Sequence, residues 1–318
     1  MRDFSSYTSV GITGSIAYDE IMNFPGQFKD HFHPEKLHQI NVSFVVDKLA
    51  KHLGGTATNI AFNTSISTKS KVSVFGAMGK DHMDLTRMFD AKKIDYSGSI
   101  IDNKLYTSTG KVMTDMSDNQ IWGYYYGAGA RGKDIDFVKY TNDKTFFVIS
   151  ANHKDAFLHV QNHCIQNNRA YVYDPGMSLT FISDQDLDEG IRSATFIVGN
   201  DYEVAQIERR LGISILKIMH EDSGLITTLG SKGVKYQSGE NTDIVSGYAV
   251  DKVVDPTGAG DAWRGGFIGG LLEGESLEKS LKIGNALASF AIQQVGTVNH
   301  SPTMEEVLSR AETLEISH

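Results

Sequence analysis

The residues most able to do chemistry lie in Asp255-Pro-Thr-Gly-Ala-Gly-Asp261, followed by Ala-Trp-Arg-Gly-Gly-Phe. Gly258 and Gly260 let the backbone turn tightly and approach a ligand closely. A helical stretch from Asp261 to Leu272 follows at once. A glycine turn feeding a helix N-terminus aims several N–H groups at one spot, which suits a phosphate. Asp261 is poorly placed to bind a phosphate but well placed to take a proton from a hydroxyl attacking one. The plain alternative is a helix with an acidic first turn. The glycine pair and the preceding Asp255 favour the chemical reading.

Three further clusters could supply binding groups. Gly54-Gly55-Thr-Ala-Thr-Asn59 opens a helix with an amide one turn in; Asn59 both donates and accepts, which suits the vicinal hydroxyls of a sugar. Alone, the glycine pair is more often an ordinary turn. Gly199-Asn200-Asp-Tyr-Glu203 follows the apolar run Thr195–Val198, at the strand end where ligands of parallel sheets bind. Asn200 and Glu203 either organise the water shell of Mg²⁺ or form a capping box. Thr228-Leu-Gly230-Ser-Lys-Gly233 is a strand end and turn whose glycines either admit a nucleotide or make a hairpin.

Alternating elements must position these groups. Short β-branched or aromatic runs read as buried strands: Thr8–Gly14, Lys71–Phe75, Thr145–Ser150, Ala170–Tyr173, Thr195–Val198 and Leu225–Thr228. Helical stretches fall between them at Thr56–Ser67, Asp84–Lys93, Asp155–Asn168 and Asp201–Leu211, with the clearest at Leu277–Gln294. Strand–helix alternation predicts an α/β fold, a large mostly parallel sheet of eight or more strands flanked by helices. The alternation fails at 16–46 and 106–126. The second contains a hairpin turning at Met116–Asn119, so both segments are expected to form a small β lid on one domain spanning 1–318.

Composition narrows the function. The chain has 318 residues, 40% hydrophobic and 22% charged, enough for a substantial core. A net charge of −9 argues against a nucleic-acid partner. The single cysteine, Cys164, allows no internal disulfide and fits a cytoplasmic setting. The N-terminus carries no apolar signal core, and no apolar run reaches membrane-spanning length.

In this order and spacing the four clusters resemble the ribokinase-like (PfkB) family of carbohydrate and nucleoside kinases. GGTATN is similar to its N-terminal signature, DPTGAGD to its C-terminal one, GNDYE to its NxxE motif and TLGSKG to its nucleotide loop. Ser73–Asp81 is similar to the strand and turn after the first signature. The resemblance runs from about Val10 to Thr303. It implies ATP-dependent phosphorylation of a hydroxyl, with Asp261 as base and the backbone of Gly258, Ala259 and Gly260 as anion hole. It also implies that Asn200 and Glu203 organise Mg²⁺ and phosphate. Asp19, Gly55 and Asn59 would hold substrate hydroxyls, with Asp19 and Asn59 facing each other across the pocket. Thr228, Gly230 and Gly233 would line the nucleotide site, with Asn285 and Ala288 near the adenine. Asp255 and Thr257 would flank a monovalent cation such as K⁺, and a homodimer would form through the lid. Asn41–Phe44, Ser117–Gln120 and Arg264 look most like an adenosine-kinase-like branch, so the expected acceptor is the hydroxymethyl group of a nucleoside. The alternatives are a sugar kinase of the ribokinase or fructokinase type and a catalytically silent ligand-binding relative. The chain departs from the family at His82-Met83-Asp84, where a glycine is usual, and at Trp263-Arg264, where small or apolar residues are common.

Other motifs are declined. Gly127–Gly132 matches G-x-G-x-x-G, but no convincing helix opens after it, and there is no P-loop. His159 and His163 share a helix face beside Cys164, but the third ligand and glutamate of a zinc site are missing.

Overall fold

A computed structural model describes residues 4–32 and 41–318. Six strands run parallel in the order Lys71–Phe75, Ser9–Thr13, Thr145–Ile149, Tyr171–Tyr173, Phe196–Asn200 and Gly224–Thr228. Three antiparallel strands, Val234–Ser238, Asn241–Val245 and Ile316–Ser317, extend the last edge to nine. The parallel strands are apolar along their length because helices cover both faces. Within Thr145–Ile149, Phe146 and Val148 enter one core, while Phe147 and Ile149 enter the other. That alternation is the two-residue period of a strand. The three antiparallel strands lay beyond the expected list, because VKYQS and NTDIV carry too few apolar residues to stand out.

The expected helices form with small shifts of boundary: Thr56–Ser67, Met83–Ala91, Lys154–Gln166, Asp201–Leu211 and Leu277–Ala291. The helix Ala259–Leu272 lies between Thr56–Ser67 and Leu277–Ala291. Its glycines make the fit. Cβ atoms at Gly265 and Gly269 would strike Asn63 and Ser67 on one side, and at Gly266 the Ile283 carbonyl on the other. Packed this closely, the helix start is held rigidly over the sheet.

A separate four-stranded sheet stands in the order Lys48–Gly54, Ala17–Asn23, Ser108–Thr114, Gln120–Tyr125. Residues 106–126 contribute its hairpin, apart from the central sheet. Its strand Lys48–Gly54 falls outside the expected segments. KLAKHLG is too polar to read as a strand, and Gly54, taken as part of a turn, ends it. Of the expected segment 16–46, residues 33–40 lie outside the described residues. Gly127–Asp134 is a 3-10 turn rather than the start of a long helix. His159 and His163 both pack against Phe137, and His159 Nε2 meets the Ile135 carbonyl at 2.7 Å. Among the described residues no helix is long and apolar enough to cross a membrane.

Candidate active site

The site forms where the parallel strands end. Gly258 caps the helix Ala259–Leu272 in the left-handed conformation, φ 78° and ψ 0°, with no side chain bonded to the first turn. A β-carbon there would be strained and would come 2.7 Å from Thr297 Cγ2. Because no side chain caps it, the turn leaves backbone donors for a ligand. The Ala259 N–H turns back to the Pro256 carbonyl at 3.2 Å, so the donor expected of Ala259 is engaged within its own turn.

Asp261, one turn into this helix, is held by Asn59. Asn59 Nδ2 donates to Asp261 Oδ2 at 2.8 Å, while Asn59 Oδ1 accepts from the Thr297 hydroxyl at 2.7 Å. Sequence reasoning gave Asn59 to the substrate; the structure brings it to Asp261 and leaves one amide hydrogen uncommitted. Burial raises the Asp261 carboxyl above the ordinary range. Arg264 and the Asn59 amide pull it back, and Glu203 pushes it further up.

Arg264 follows Asp261 by three residues and is buried. Its Nε lies 2.5 Å from Asp174 Oδ2, and Asp174 Oδ1 has no partner. Burial, against the pull of Arg264 and with Glu203 and Asp261 pushing the same way, moves Asp174 up to about 7. The sequence pointed to neither Asp174 nor Thr297, which the structure brings to this site, and it marked Arg264 without a role. Arg264 carried a signal, since i and i+3 share a helix face. Asp174 and Thr297 carried none, because only the fold brings their segments together.

Asn200 and Glu203 form a full capping box: the Asn200 side chain accepts from the Glu203 N–H and Glu203 Oε2 from the Asn200 N–H, each at 2.8 Å. The box holds Glu203 at the mouth of the strand Phe196–Asn200. Asp19, on the central strand of the small sheet, sits where Cβ atoms at Gly54 and Gly110 would come within 2.2 and 3.0 Å of its oxygens. Two glycines therefore make its niche. Burial raises Asp19, offset by His52 and reinforced by Asp261. Gly55 has φ 89°, and a Cβ there would lie 2.4 Å from the Ser15 carbonyl, so it shapes the crossing of two chains.

These groups line two adjoining cavities. One, of about 660 Å³, contains Asp19, Asn59, Asp174, Glu203, Asp261 and Arg264, with Tyr124 and Tyr126 on the small-sheet side. The other, of about 530 Å³, is walled by Gly233, Tyr248, Trp263, Asn285, Ala288 and Ile292. Thr228, Gly230 and Gly260 belong to both. Asn285 is committed to the fold: its Nδ2 donates to the Val245 and Ser246 carbonyls at 3.1 and 2.9 Å. Asp255 is likewise engaged, Oδ1 by the Thr257 N–H at 2.9 Å and Oδ2 by the Gly296 N–H at 3.0 Å. Burial raises its carboxyl, but those donors outweigh it and hold the group low. Among the described residues no three acidic, histidine or cysteine side chains form a metal cage. A hard cation would fit here only by sharing a carboxylate with a ligand's own oxygens and water.

Residues 14–304 match the pfkB family carbohydrate kinase profile. The chain belongs to the pfkB family. It is therefore an ATP-dependent phosphotransferase with an alcohol group as acceptor, of the nucleoside and sugar kinase class. A nucleoside kinase of Methanocaldococcus jannaschii is 28% identical over 288 residues, 88% of this chain and 92% of that one. A ribokinase of Lactococcus lactis is 26% identical, covering 83% of this chain and 87% of its own. The structure of Burkholderia thailandensis nucleoside kinase in complex with inosine superposes with a TM-score of 0.83 at 27% identity, covering 96% of this chain and 97% of that chain. The kinase thus has the ribokinase-like α/β fold, with its large, mostly parallel sheet.

Proposed function

We propose that this kinase phosphorylates the hydroxymethyl group of a nucleoside, adenosine-like in shape, with Asp261 as base. One observation carries the reading: the Asn59–Asp261 hydrogen bond fixes a half-buried carboxylate beside an uncapped helix N-terminus, where the two cavities meet. The acceptor's ribose lies against Asp19 and Asn59, and its base against Tyr124 and Tyr126, which a bare sugar would leave unused. ATP occupies the apolar cavity, its adenine near Ala288. As the acceptor oxygen attacks the terminal phosphoryl group, its proton passes to Asp261, and backbone donors around Gly258 and Gly260 meet the developing charge. Arg264 keeps a positive charge among Asp174, Glu203 and Asp261, so the incoming phosphates do not face carboxylates alone. Mg²⁺ bound with the phosphates neutralises their charge; Glu203, held by its capping box, is the residue to meet its water shell. Asp255 and Thr257 are the positions for K⁺.

The four-stranded sheet acts as a lid that excludes water from the transfer. Its edge strand Gln120–Tyr125 leaves Ile121, Trp122 and Tyr125 exposed, which supports a homodimer through the lid. The whole chain forms one catalytic domain, working in the cytoplasm.

The test is ADP release, measured over adenosine, inosine, cytidine, ribose and fructose. The nucleosides should give kcat/KM at least tenfold above either sugar. Preference for ribose or fructose would make it a sugar kinase, and no turnover with any acceptor would overturn the reading.

A further inference from the structure

Thr297 lies in the segment between the helices Leu277–Ala291 and Met304–Glu312, 4% exposed, and lines neither cavity. Its hydroxyl is 2.7 Å from Asn59 Oδ1 and 3.1 Å from the Leu53 carbonyl. A hydroxyl has one hydrogen to give, and the shorter contact takes it. That choice sets the direction of the Asn59 amide. With Oδ1 held by a donor, Nδ2 faces Asp261 Oδ2 at 2.8 Å. Turned over, the amide would set Oδ1 against a carboxylate oxygen, two acceptors in a buried space. The Asn59 backbone is pinned as well, its N–H donating to the Gly55 carbonyl at 3.0 Å. The side-chain amide is the remaining freedom, and Thr297 removes it.

We propose that Thr297 is a positioning residue: its hydroxyl fixes the Asn59 amide, and through it the Asp261 carboxylate, in the orientation that proton transfer needs. The inference rests on Asp261 being the base. Thr297→Val keeps the shape and deletes the donor. It should lower kcat about tenfold, the scale of one lost orienting hydrogen bond, with KM for ATP and acceptor within twofold of the parent. Thr297→Ser should restore kcat to within twofold. In an Asn59→Ala background Thr297→Val should cost less than twofold more, because the path runs through that amide. Unchanged kcat in Thr297→Val would overturn the proposal, as would the same tenfold loss in the Asn59→Ala background. A rise in KM for ATP without a fall in kcat would also overturn it, since Thr297 would then act through the Gly258 turn it touches. Asp261→Asn, run beside these, separates the two readings. If it abolishes turnover while Thr297→Val does not, only the positioning role fails; if it turns over normally, the base assignment itself fails. Melting temperatures of all variants identify any that do not fold; should Thr297→Val be one, Thr297→Ala, which also deletes the donor, carries the comparison with the same expected and overturning outcomes.

Discussion

The two cavities share a wall but are built from different materials. The larger takes its lining from the carboxyl ends of the parallel strands, where Asp174 and Glu203 lie, and from within the small sheet, which contributes Asp19. The smaller is walled by helix faces and an antiparallel edge, and its residues are Trp263, Ala288, Ile292 and Tyr248. Charge gathers where chain ends point inward; apolar surface gathers where helices pack. The first can orient hydroxyls and move a proton, and the second can hold a flat apolar ring but cannot do chemistry. Changes in one should therefore alter turnover or acceptor recognition, and changes in the other only nucleotide affinity.

The hardest blow to that division is Asp261→Asn. It preserves shape and helix start, so melting temperature should stay within a few degrees while turnover falls about 10²–10⁴, the contribution of a positioned base. A simple first-turn acid would instead cost about 1 kcal/mol of stability and little rate. Turnover and thermal melts of the purified variant decide between them.

A paired substitution sharpens the comparison at the level of tens. Ala288→Phe fills the apolar cavity and should raise KM for ATP by about tenfold or more, leaving KM for the acceptor unchanged. Asp19→Ala should do the reverse, because it removes a charge-assisted acceptor for hydroxyls. Steady-state kinetics with each substrate varied in turn would show crossed effects if the cavities were not separate.

A smaller effect concerns acid. A base works ionised, and burial raises the Asp261 carboxyl, so kcat/KM should fall as pH drops through a limb above the ordinary carboxylate range. Asn59→Ala deletes a donor that favours the ionised form and should move that limb to higher pH. A limb that stays put would show that the Asn59 contact does not tune the base.

The smallest effect lies outside both cavities. His300 is buried with its Nε2 2.6 Å from Asn63 Oδ1; burial, then the charge of Lys92, lowers it to about 4. Its folded value is below its unfolded one, so this contribution to stability is present above about pH 6.5 and lost as pH falls toward 4. His300→Gln should flatten the acid side of a stability profile by about 3 kcal/mol, read from urea melts between pH 7 and 4.

The sequence was most legible where one residue type has one use. Val10, Ile12 and Phe146–Ile149 announce buried strands, and glycines ahead of Asp261 announce a helix start near a ligand. It was least legible where a residue's meaning depends on a distant neighbour. The strand Lys48–Gly54 is polar because one side faces solvent, and it reveals itself only by pairing residue for residue with Ala17–Asn23. Arg264 stood out as a departure without a stated role, because Asp174 lies ninety residues away in sequence and a few ångströms away in space. Asn200 and Glu203 carried two readings, and the capping geometry realises the structural one while leaving Glu203 at the cavity edge.

The wall common to the two cavities has a use in inhibitor design. Two of its three shared residues, Gly230 and Gly260, have no side chains and so add none of their own to the passage between the acid-lined chamber and the apolar one. A single molecule with a ribose-like head, a short anionic linker and an aromatic tail could thread that opening and occupy both chambers at once. Its two ends would be tethered at high effective concentration, so its affinity should exceed that of either half by a large factor. The most telling property of such a compound would be linker length: too short and one end lifts out, too long and the advantage fades.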